Sequence, residues 1–252
     1  MQPLKLLKKY VIDGQIYVSL MGTFLAIFFM LEQKAFRFPT VLLIFITYFS
    51  GYLYTKNQGS KKFRSVLIFN FICGIISMIL IMMNHHEIRI FKWLVIVTLG
   101  LLYNSTFLES SIRKIPFLKV FYVGLTWALI NSWLILPEFH FTIFLISILF
   151  VTALVLPFDI RDMKVDEIIT FPRLIGVQNT KFLAYSLVFV ATVVAIAYLK
   201  PQFAAAFFVA SVFTFLLIYF SENSNRESYF SFWVESLSGL PFLIQVIISY
   251  LS

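Results

Sequence analysis

The chain has 252 residues, of which 60% are hydrophobic and 13% are charged, and its mean hydropathy is +0.91. A soluble domain averages about 45–50% apolar and about 25% charged residues, so this composition excludes an ordinary soluble globular protein. The formal net charge is +8, but the basic residues flank apolar stretches, which favours contact with anionic lipid headgroups and argues against a nucleic-acid partner.

The first ten residues are basic, and no small-residue cleavage site follows the first apolar run. We therefore expect that run to be a membrane span and not a cleaved signal. The single Cys73 lies in an apolar stretch, so neither a disulfide framework nor a cysteine metal site is predicted.

Nine apolar segments follow one another along the chain, and a spanning helix needs roughly 20 such residues. The second, fourth and sixth are short for a full span, which indicates tilt or slippage. Helices satisfy their own backbone groups in lipid, so the predicted fold is all-α: a polytopic membrane protein of about nine transmembrane helices in one domain. The segments are 15–31, 39–54, 65–83, 90–104, 117–136, 141–157, 181–199, 202–220 and 229–251.

The loops between these segments carry their basic residues asymmetrically. With nine helices, the N-terminus and the loops after the second, fourth, sixth and eighth helices share one side, which holds 15 of the 20 Lys and Arg residues. The positive-inside rule places that side, and the N-terminus, in the cytoplasm. The predicted location is the cytoplasmic (inner) membrane of a bacterium, with membrane lipids as partners. No sequence feature indicates an oligomeric state.

Acidic residues gather at the end of the sixth segment, where Asp159, Asp162 and Asp166 follow an apolar run. If the helix continues, their spacing places all three on one face, with Arg161 and Lys164 pointing away. Three carboxylates on one face repel each other unless a cation lies among them, and Mg²⁺ typically takes one or two carboxylates plus substrate phosphates. The pattern predicts a Mg²⁺ site for a phosphorylated ligand. The alternative is a solvated loop whose acids balance its basic residues.

The stretch "DIRDMKVD", followed by "TFPRLIG", resembles the second aspartate-rich motif of the UbiA superfamily of intramembrane prenyltransferases. In that motif an Asp-x-x-x-Asp pair, often preceded by another Asp, is followed by a Thr-Leu-Pro-like stretch and a glycine. Asp162 and Asp166 match the pair and Asp159 the preceding residue. The resemblance implies that all three bind Mg²⁺ and that Asp162 and Asp166 are catalytic. The tail of the motif is matched by Thr170, Pro172 and Gly176.

Residues 101–128 also resemble the family's connection between the fourth and fifth helices, where a tyrosine–serine element precedes basic residues and a short helix. The resemblance implies that Arg113, Lys114 and Lys119 bind phosphate, with headgroup anchoring as the alternative for the first two. It also implies a bundle around a central substrate cavity, to which Tyr103 belongs.

Three further polar residues are assigned to the cavity. Asn70 and Asn131 lie inside predicted spans, where an interhelical hydrogen bond is the alternative to a ligand contact. Glu235 lies either inside the last span, where acids are costly and usually face a cavity, or near its cytoplasmic end.

One family motif is missing. Members carry Asn-x-x-x-Asp-x-x-x-Asp after the second helix, but this chain has no acidic residue between Glu32 and Glu87. Three readings stay open. One Mg²⁺ is held by the second motif while Lys56, Lys61 and their basic neighbours meet the phosphates directly; the substrate is a lipid monophosphate; or catalysis is lost.

The resemblance implies transfer of a prenyl group from a polyprenyl diphosphate to an acceptor, with Mg²⁺ and basic residues stabilising the leaving group. The alternative is a non-catalytic relative that binds lipid phosphates in the membrane, and the missing motif favours it. A small transporter is less favoured, because the sequence lacks internal repeats and matching broken helices.

Overall fold

A computed structural model describes residues 11–12, 14–83, 87–102, 116–164 and 170–251. This part of the chain contains ten α-helices and no β-strand. Two π-helical stretches, Ile130–Leu134 and Tyr229–Val234, extend α5 and precede α10. The helices are α1 (Ile16–Glu32), α2 (Phe38–Asn57), α3 (Phe63–Met83), α4 (Ile88–Leu102), α5 (Pro116–Leu129), α6 (Phe141–Asp162), α7 (Phe171–Ile175), α8 (Val177–Tyr198), α9 (Pro201–Tyr219) and α10 (Glu235–Leu251).

Each of the nine predicted apolar segments coincides with a long helix, and the short α7 is an addition before α8. Within the described ranges, six helices are long and apolar enough to cross a membrane: α2, α3, α6, α8, α9 and α10 together with its π-helical start. The apolar α1 is shorter. The described part of the chain is thus all-helical, and the protein is a multi-pass membrane protein. Nine crossings and a cytoplasmic N-terminus stay predictions.

The long helices pack in a ring. Proceeding around it, α1 packs on α2, α2 on α3 and α4, α4 on α5, α5 on α6, α6 on α8, α8 on α9 and α9 on α10. The ring closes where α10 packs on α1. A Cβ atom added to Gly239 on α10 would lie 2.8 Å from the Met21 Sδ on α1, so this closing contact is tight.

Aromatic side chains fill the middle of the bundle. The Phe207 ring of α9 lies 5.0 Å from the Phe150 ring of α6 and 6.4 Å from the Phe28 ring of α1, and all three side chains are fully buried. The outer surface is also apolar; on α3, Phe71 is 71% exposed. Such a broad apolar exterior is what a lipid environment requires and what a water-soluble monomer avoids.

Buried cations stabilise the end of the bundle that carries the predicted outer loops. Arg89 and Lys92 on α4 are 3% and 5% exposed. Arg89 donates to the Thr40 hydroxyl and to the Ile135 carbonyl, at 3.1 and 3.0 Å. The Lys92 ammonium donates to three carbonyls within 133–137, at 2.9 to 3.2 Å. These carbonyls follow the last turn of α5, where a helix leaves acceptors unsatisfied, so the two cations serve as its C-terminal cap.

Candidate functional site

The last turn of α6 positions the predicted carboxylates. The helix continues through the buried Pro157 and ends at Asp162. Asp159 and Asp162 are therefore one helical turn apart on the same face, as the sequence spacing predicts. Asp166 lies outside the described residues.

Asp159 is buried next to a cation from α5. Its carboxylate Oδ1 lies 3.5 Å from the Lys119 ammonium, and the two side chains are 2% and 23% exposed. Lys119 was assigned to phosphate binding; the structure places it beside a carboxylate at the same end of the bundle.

Asp162 is bound by its own neighbour. Arg161 Nε donates to Oδ1 at 2.7 Å and Nη2 donates to Oδ2 at 2.8 Å. The guanidinium also lies over the rings of Phe158 and Phe230, at 5.2 and 5.8 Å from their centroids. The expectation that Arg161 points away from the acidic face was wrong, because at the end of the helix its long side chain swings back onto Asp162.

The loop after α9 docks on the end of α6. The Asn223 amide nitrogen donates to the carbonyls of Arg161 and Ile160, at 2.7 and 3.3 Å. Terminal helix carbonyls lack intrahelical partners, so this side chain caps the backbone at the end of α6. Asn223 could not be predicted from the sequence, because its only signal is an amide in a short polar loop.

Two further charged groups lie near Arg161. Glu235 is the first residue of α10 and is half-buried. It lies within electrostatic range of Arg161 and of Lys56, which is exposed in the last turn of α2. The carboxylate of Glu227 is also within electrostatic range of the Arg161 guanidinium. Glu235 thus lies inside the candidate span that begins at Tyr229 and within electrostatic range of the end of α6, so it combines features of both interpretations. The term "α6 cluster" denotes Lys56, Lys119, Asp159, Arg161, Asp162 and Glu235.

Some predicted site residues lie away from the α6 cluster or outside the described residues. Lys61 is exposed in the turn between α2 and α3. Asn131 is fully buried and donates to the Ser147 hydroxyl at 3.3 Å, which is the interhelical alternative. Tyr103, Arg113 and Lys114 lie outside the described residues.

A cavity of about 660 Å³ lies between α2, α3, α4 and α5. Ligand pockets typically have about 300–1,000 Å³, so the volume suits a substantial ligand. Its lining is mostly apolar, and Asn70 is part of it. Asn70 also donates to the Ser50 carbonyl at 3.0 Å, so it makes an interhelical hydrogen bond and lines the cavity. Neither Asn131 nor Glu235 lines this space.

The cavity has a firm inner wall. The Tyr48 and Trp127 rings lie 4.7 Å apart, and the Trp93 indole nitrogen donates to the Thr47 hydroxyl at 3.0 Å. Thr55 on α2 also lines the cavity and directly precedes Lys56 of the α6 cluster. The lining of the cavity therefore reaches the residue next to that cluster.

The donor chemistry of the α6 cluster fits Mg²⁺. Asp159 and Asp162 offer carboxylate oxygens one turn apart, and Mg²⁺ typically needs only one or two carboxylates beside water and phosphate. Among the described residues, no three His, Cys, Asp or Glu side chains are grouped to hold a metal by themselves. Each of the two aspartates is neutralised by a cation of the chain, so a metal ion competes with Lys119 and Arg161.

Comparison with known proteins reveals a structural likeness without a sequence match. No protein-family description and no curated protein matches the sequence. The fold matches a solved structure of a digeranylgeranylglyceryl phosphate synthase, described in a study of that synthase in membranes, with a TM-score of 0.57. The match covers 98% of both chains at 12% sequence identity. At that identity the likeness establishes a shared fold: the chain has the architecture of this membrane synthase over nearly its whole length.

Proposed function

We propose that the chain is a UbiA-type membrane prenyltransferase that moves a prenyl group from a polyprenyl diphosphate to an acceptor at the α6 cluster. The observation that carries the proposal is the end of α6, where Arg161 pairs with Asp162 and Lys119 of α5 pairs with Asp159. Lys119 lies three residues before Tyr122, which is in the lining of the large apolar cavity. The fold, which follows a digeranylgeranylglyceryl phosphate synthase end to end, supports the same reading. The reaction takes place at the face of the inner membrane that the charge distribution assigns to the cytoplasm.

Phosphate recognition falls mainly to Arg161. A guanidinium presents two parallel donors that match a phosphate as well as a carboxylate. Its two hydrogen bonds to the Asp162 carboxylate hold the guanidinium in one orientation at the end of α6. Lys119 and the exposed Lys56 and Lys61 supply further positive charge, and Arg113 and Lys114 are proposed to join them.

In the proposed reaction the bond between the allylic carbon and the diphosphate oxygen breaks. The diphosphate leaves with the electron pair, and the acceptor forms a bond to the allylic carbon and loses a proton. Cationic side chains lower the barrier because they stabilise the negative charge that develops on the leaving group. The buried apolar surroundings keep water from the allylic cation.

Asp159, Asp162 and Asp166 are proposed to hold Mg²⁺. When bound, the ion neutralises charge on the diphosphate and favours its departure. Asp162 becomes available to it when Arg161 turns from the carboxylate to a phosphate. The buried Asp159, whose carboxylate lies beside Lys119, would supply the other ligand from α6.

The test is binding and turnover by the purified chain in lipid nanodiscs. Labelled geranylgeranyl or farnesyl diphosphate is titrated with and without Mg²⁺, for the wild type and for Asp162→Ala. Mg²⁺-dependent binding that Asp162→Ala abolishes supports the proposal. Equal binding in all four conditions contradicts it.

A second candidate is a non-catalytic protein that binds lipid phosphates. The observation that favours it is the pairing of Asp159 with Lys119 and of Asp162 with Arg161, which neutralises both carboxylates without a metal. A membrane extract supplied with labelled prenyl diphosphate distinguishes the two. A labelled product that requires the chain excludes the binding protein, whereas tight binding without product or diphosphate release supports it.

A further inference from the structure

The two buried cations of α4 satisfy backbone acceptors, but these acceptors do not balance their charge. Arg89 and Lys92 donate hydrogen bonds to the Thr40 hydroxyl and to backbone carbonyl groups, none of which carries a full negative charge. The end of a helix supplies roughly half a negative charge, which is less than the two positive charges placed there. Buried charge without a counter-charge is costly, so this end of the bundle has an excess of positive charge.

No carboxylate in the described part of the chain offsets this excess. Glu87 precedes α4 and Glu138 follows the carbonyl groups that bind Lys92, but both are exposed and neither forms an ion pair with Arg89 or Lys92. The charged groups that act on the two buried side chains are themselves cations, because Arg37 acts on Arg89 and Arg89 acts on Lys92. The Nε of Arg89 is also buried without a hydrogen-bond partner within the described ranges.

Arg37 extends the positive charge to the surface. It directly precedes α2, is exposed, and its guanidinium has neither a hydrogen bond nor an ion pair to any residue that the structure describes. Phe36 and Phe38 on either side of it are exposed, as is Phe91 of α4. Because α2 is a candidate membrane span, these rings lie at its end, where aromatic side chains favour the boundary between acyl chains and headgroups. A cation in this setting meets the headgroups of lipids.

We propose that the surface around Arg37, Phe36 and Phe38 is a binding site for an anionic phospholipid. The phosphate contacts the Arg37 guanidinium, the acyl chains pack on the exposed phenylalanine rings, and the buried cations of α4 attract the negative charge from behind. A guanidinium binds a phosphate with two parallel donors. A lipid with a net negative charge is favoured over a zwitterionic one, because the ammonium group of phosphatidylcholine would add to the excess of positive charge.

This site is separate from the proposed reaction and from the general attraction of anionic lipids to basic loops. Arg37 and Lys56 lie at opposite ends of α2, and Lys56 belongs to the α6 cluster. The predicted topology places 15 of the 20 Lys and Arg residues on the side of that cluster. Nonspecific attraction would therefore concentrate anionic lipid at the α6 cluster, whereas the proposed site holds it at the far end of the bundle.

The first test measures lipid affinity. Phosphatidylglycerol and phosphatidylcholine with the same acyl chains are titrated into the detergent-solubilised chain, and native mass spectrometry gives the Kd of the first bound lipid. We expect the wild type to bind phosphatidylglycerol about tenfold more tightly, as one charge-assisted contact allows. Arg37→Gln is expected to lose this preference. Arg226→Gln, the same change at an exposed position of the opposite end, is expected to keep it.

The second test locates the lipid. Phosphatidylglycerol and phosphatidylcholine analogues with a photoreactive diazirine close to the glycerol are irradiated with the chain in nanodiscs, and the labelled peptides are identified. We expect the phosphatidylglycerol analogue to be enriched over the phosphatidylcholine analogue at residues 34–41 and 88–95, and Arg37→Gln to abolish the enrichment. Enrichment confined to residues 56–64 or 222–228 overturns the proposal.

The remaining outcomes also decide the proposal. Equal affinity of the wild type for the two lipids contradicts it, and so does a preference that persists in Arg37→Gln. Loss of the preference in both Arg37→Gln and Arg226→Gln would show general attraction to the net charge, which also contradicts a built site. Glycerol phosphate, the headgroup without acyl chains, is added as a competitor; displacement at the concentration of the lipid overturns the phospholipid as the occupant. Arg37 is exposed, so the melting temperature of Arg37→Gln in phosphatidylcholine nanodiscs is expected to match that of the wild type.

Discussion

The guanidinium of Arg161 donates two hydrogen bonds to the carboxylate of Asp162, from Nε to Oδ1 at 2.7 Å and from Nη2 to Oδ2 at 2.8 Å. Adjacent residues in a helix interior do not face each other. Here the contact forms because Asp162 is the last residue of α6. The Arg161–Asp162 pair therefore depends on the end of α6 and would not form in the interior of the helix.

Replacing the fork by a point charge tests the role of Arg161. Arg161→Lys keeps the positive charge but loses the two parallel donors, so the Kd for a prenyl diphosphate is expected to rise about tenfold. Filter binding or calorimetry in nanodiscs measures it. The exposed Arg226, which lies in the loop before α10, supplies the control Arg226→Lys. If the wild type and Arg161→Lys bind the prenyl diphosphate equally well, the guanidinium of Arg161 stabilises the end of α6 and does not bind phosphate.

The buried pair of Asp159 and Lys119 predicts a stability effect that a second substitution relieves. Lys119→Met removes the cation 3.5 Å from a carboxylate that is 2% exposed. Lys119 is partly exposed, so the expected cost lies between that of a surface pair and a buried pair, about 1–3 kcal/mol. Adding Asp159→Asn removes the uncompensated charge and should recover most of the loss. Thermal unfolding in detergent provides the measurement, and a double variant no more stable than Lys119→Met would refute the coupling.

Much of the fold follows from hydropathy alone. Each predicted apolar segment coincides with a helix because the lipid-facing and bundle-facing surfaces of a membrane helix are both apolar, so length suffices to locate it. The prediction was weakest at the end of α6, set at 157 from the apolar run but placed at Asp162 by the structure. Polar residues can extend a membrane helix into the interface, and hydropathy does not register that extension.

Less of the candidate site than of the fold could be predicted from the sequence. Helical spacing correctly paired Asp159 with Asp162, since both lie within one helix. It could not place Lys119, Asn223 or Glu235 beside them, because those contacts depend on how separate helices pack. The cavity was equally hidden: Gly51, Gly74 and Gly100 are widely separated in sequence, and only the packing of three helices brings them to one space.

Alanine substitutions at tightly packed glycines and at glycines facing open space are expected to change the stability of the fold in opposite directions. Gly124→Ala forces a Cβ atom to within 3.1 Å of a backbone carbonyl oxygen, so it is expected to destabilise the fold by about 1–3 kcal/mol. Gly51→Ala and Gly100→Ala meet open space and gain helix propensity, so each is expected to stabilise by up to about 1 kcal/mol. Thermal unfolding of the three variants decides it, and a loss of stability in Gly51→Ala or Gly100→Ala would contradict the open space.

The buried ammonium of Lys92 predicts a penalty at the other end of the bundle. Lys92→Met keeps the aliphatic stem but leaves three carbonyls between 133 and 137 without their donor. Unsatisfied buried acceptors cost about 1–3 kcal/mol each in general, so a loss of at least about 2 kcal/mol is expected. Lys34→Met, at an exposed site of the same end, is the matched control. Similar melting temperatures for the two variants would show that water replaces the ammonium.

The orientation of the bundle can be tested through two loops. The buried Cys73 is first replaced, Cys73→Ser, to remove the native thiol. Glu138→Cys and Ser224→Cys then place single thiols at exposed positions of opposite ends. Because the basic loops are assigned to the cytoplasm, we expect a membrane-impermeant maleimide to label Glu138→Cys in intact cells and Ser224→Cys only after permeabilisation. The reverse pattern would turn the α6 cluster toward the outside, away from the cytoplasmic supply of prenyl diphosphates that the proposed reaction needs. Labelling of both in intact cells would mean that the two ends are not separated by a membrane, which would contradict the odd number of crossings between residues 138 and 224.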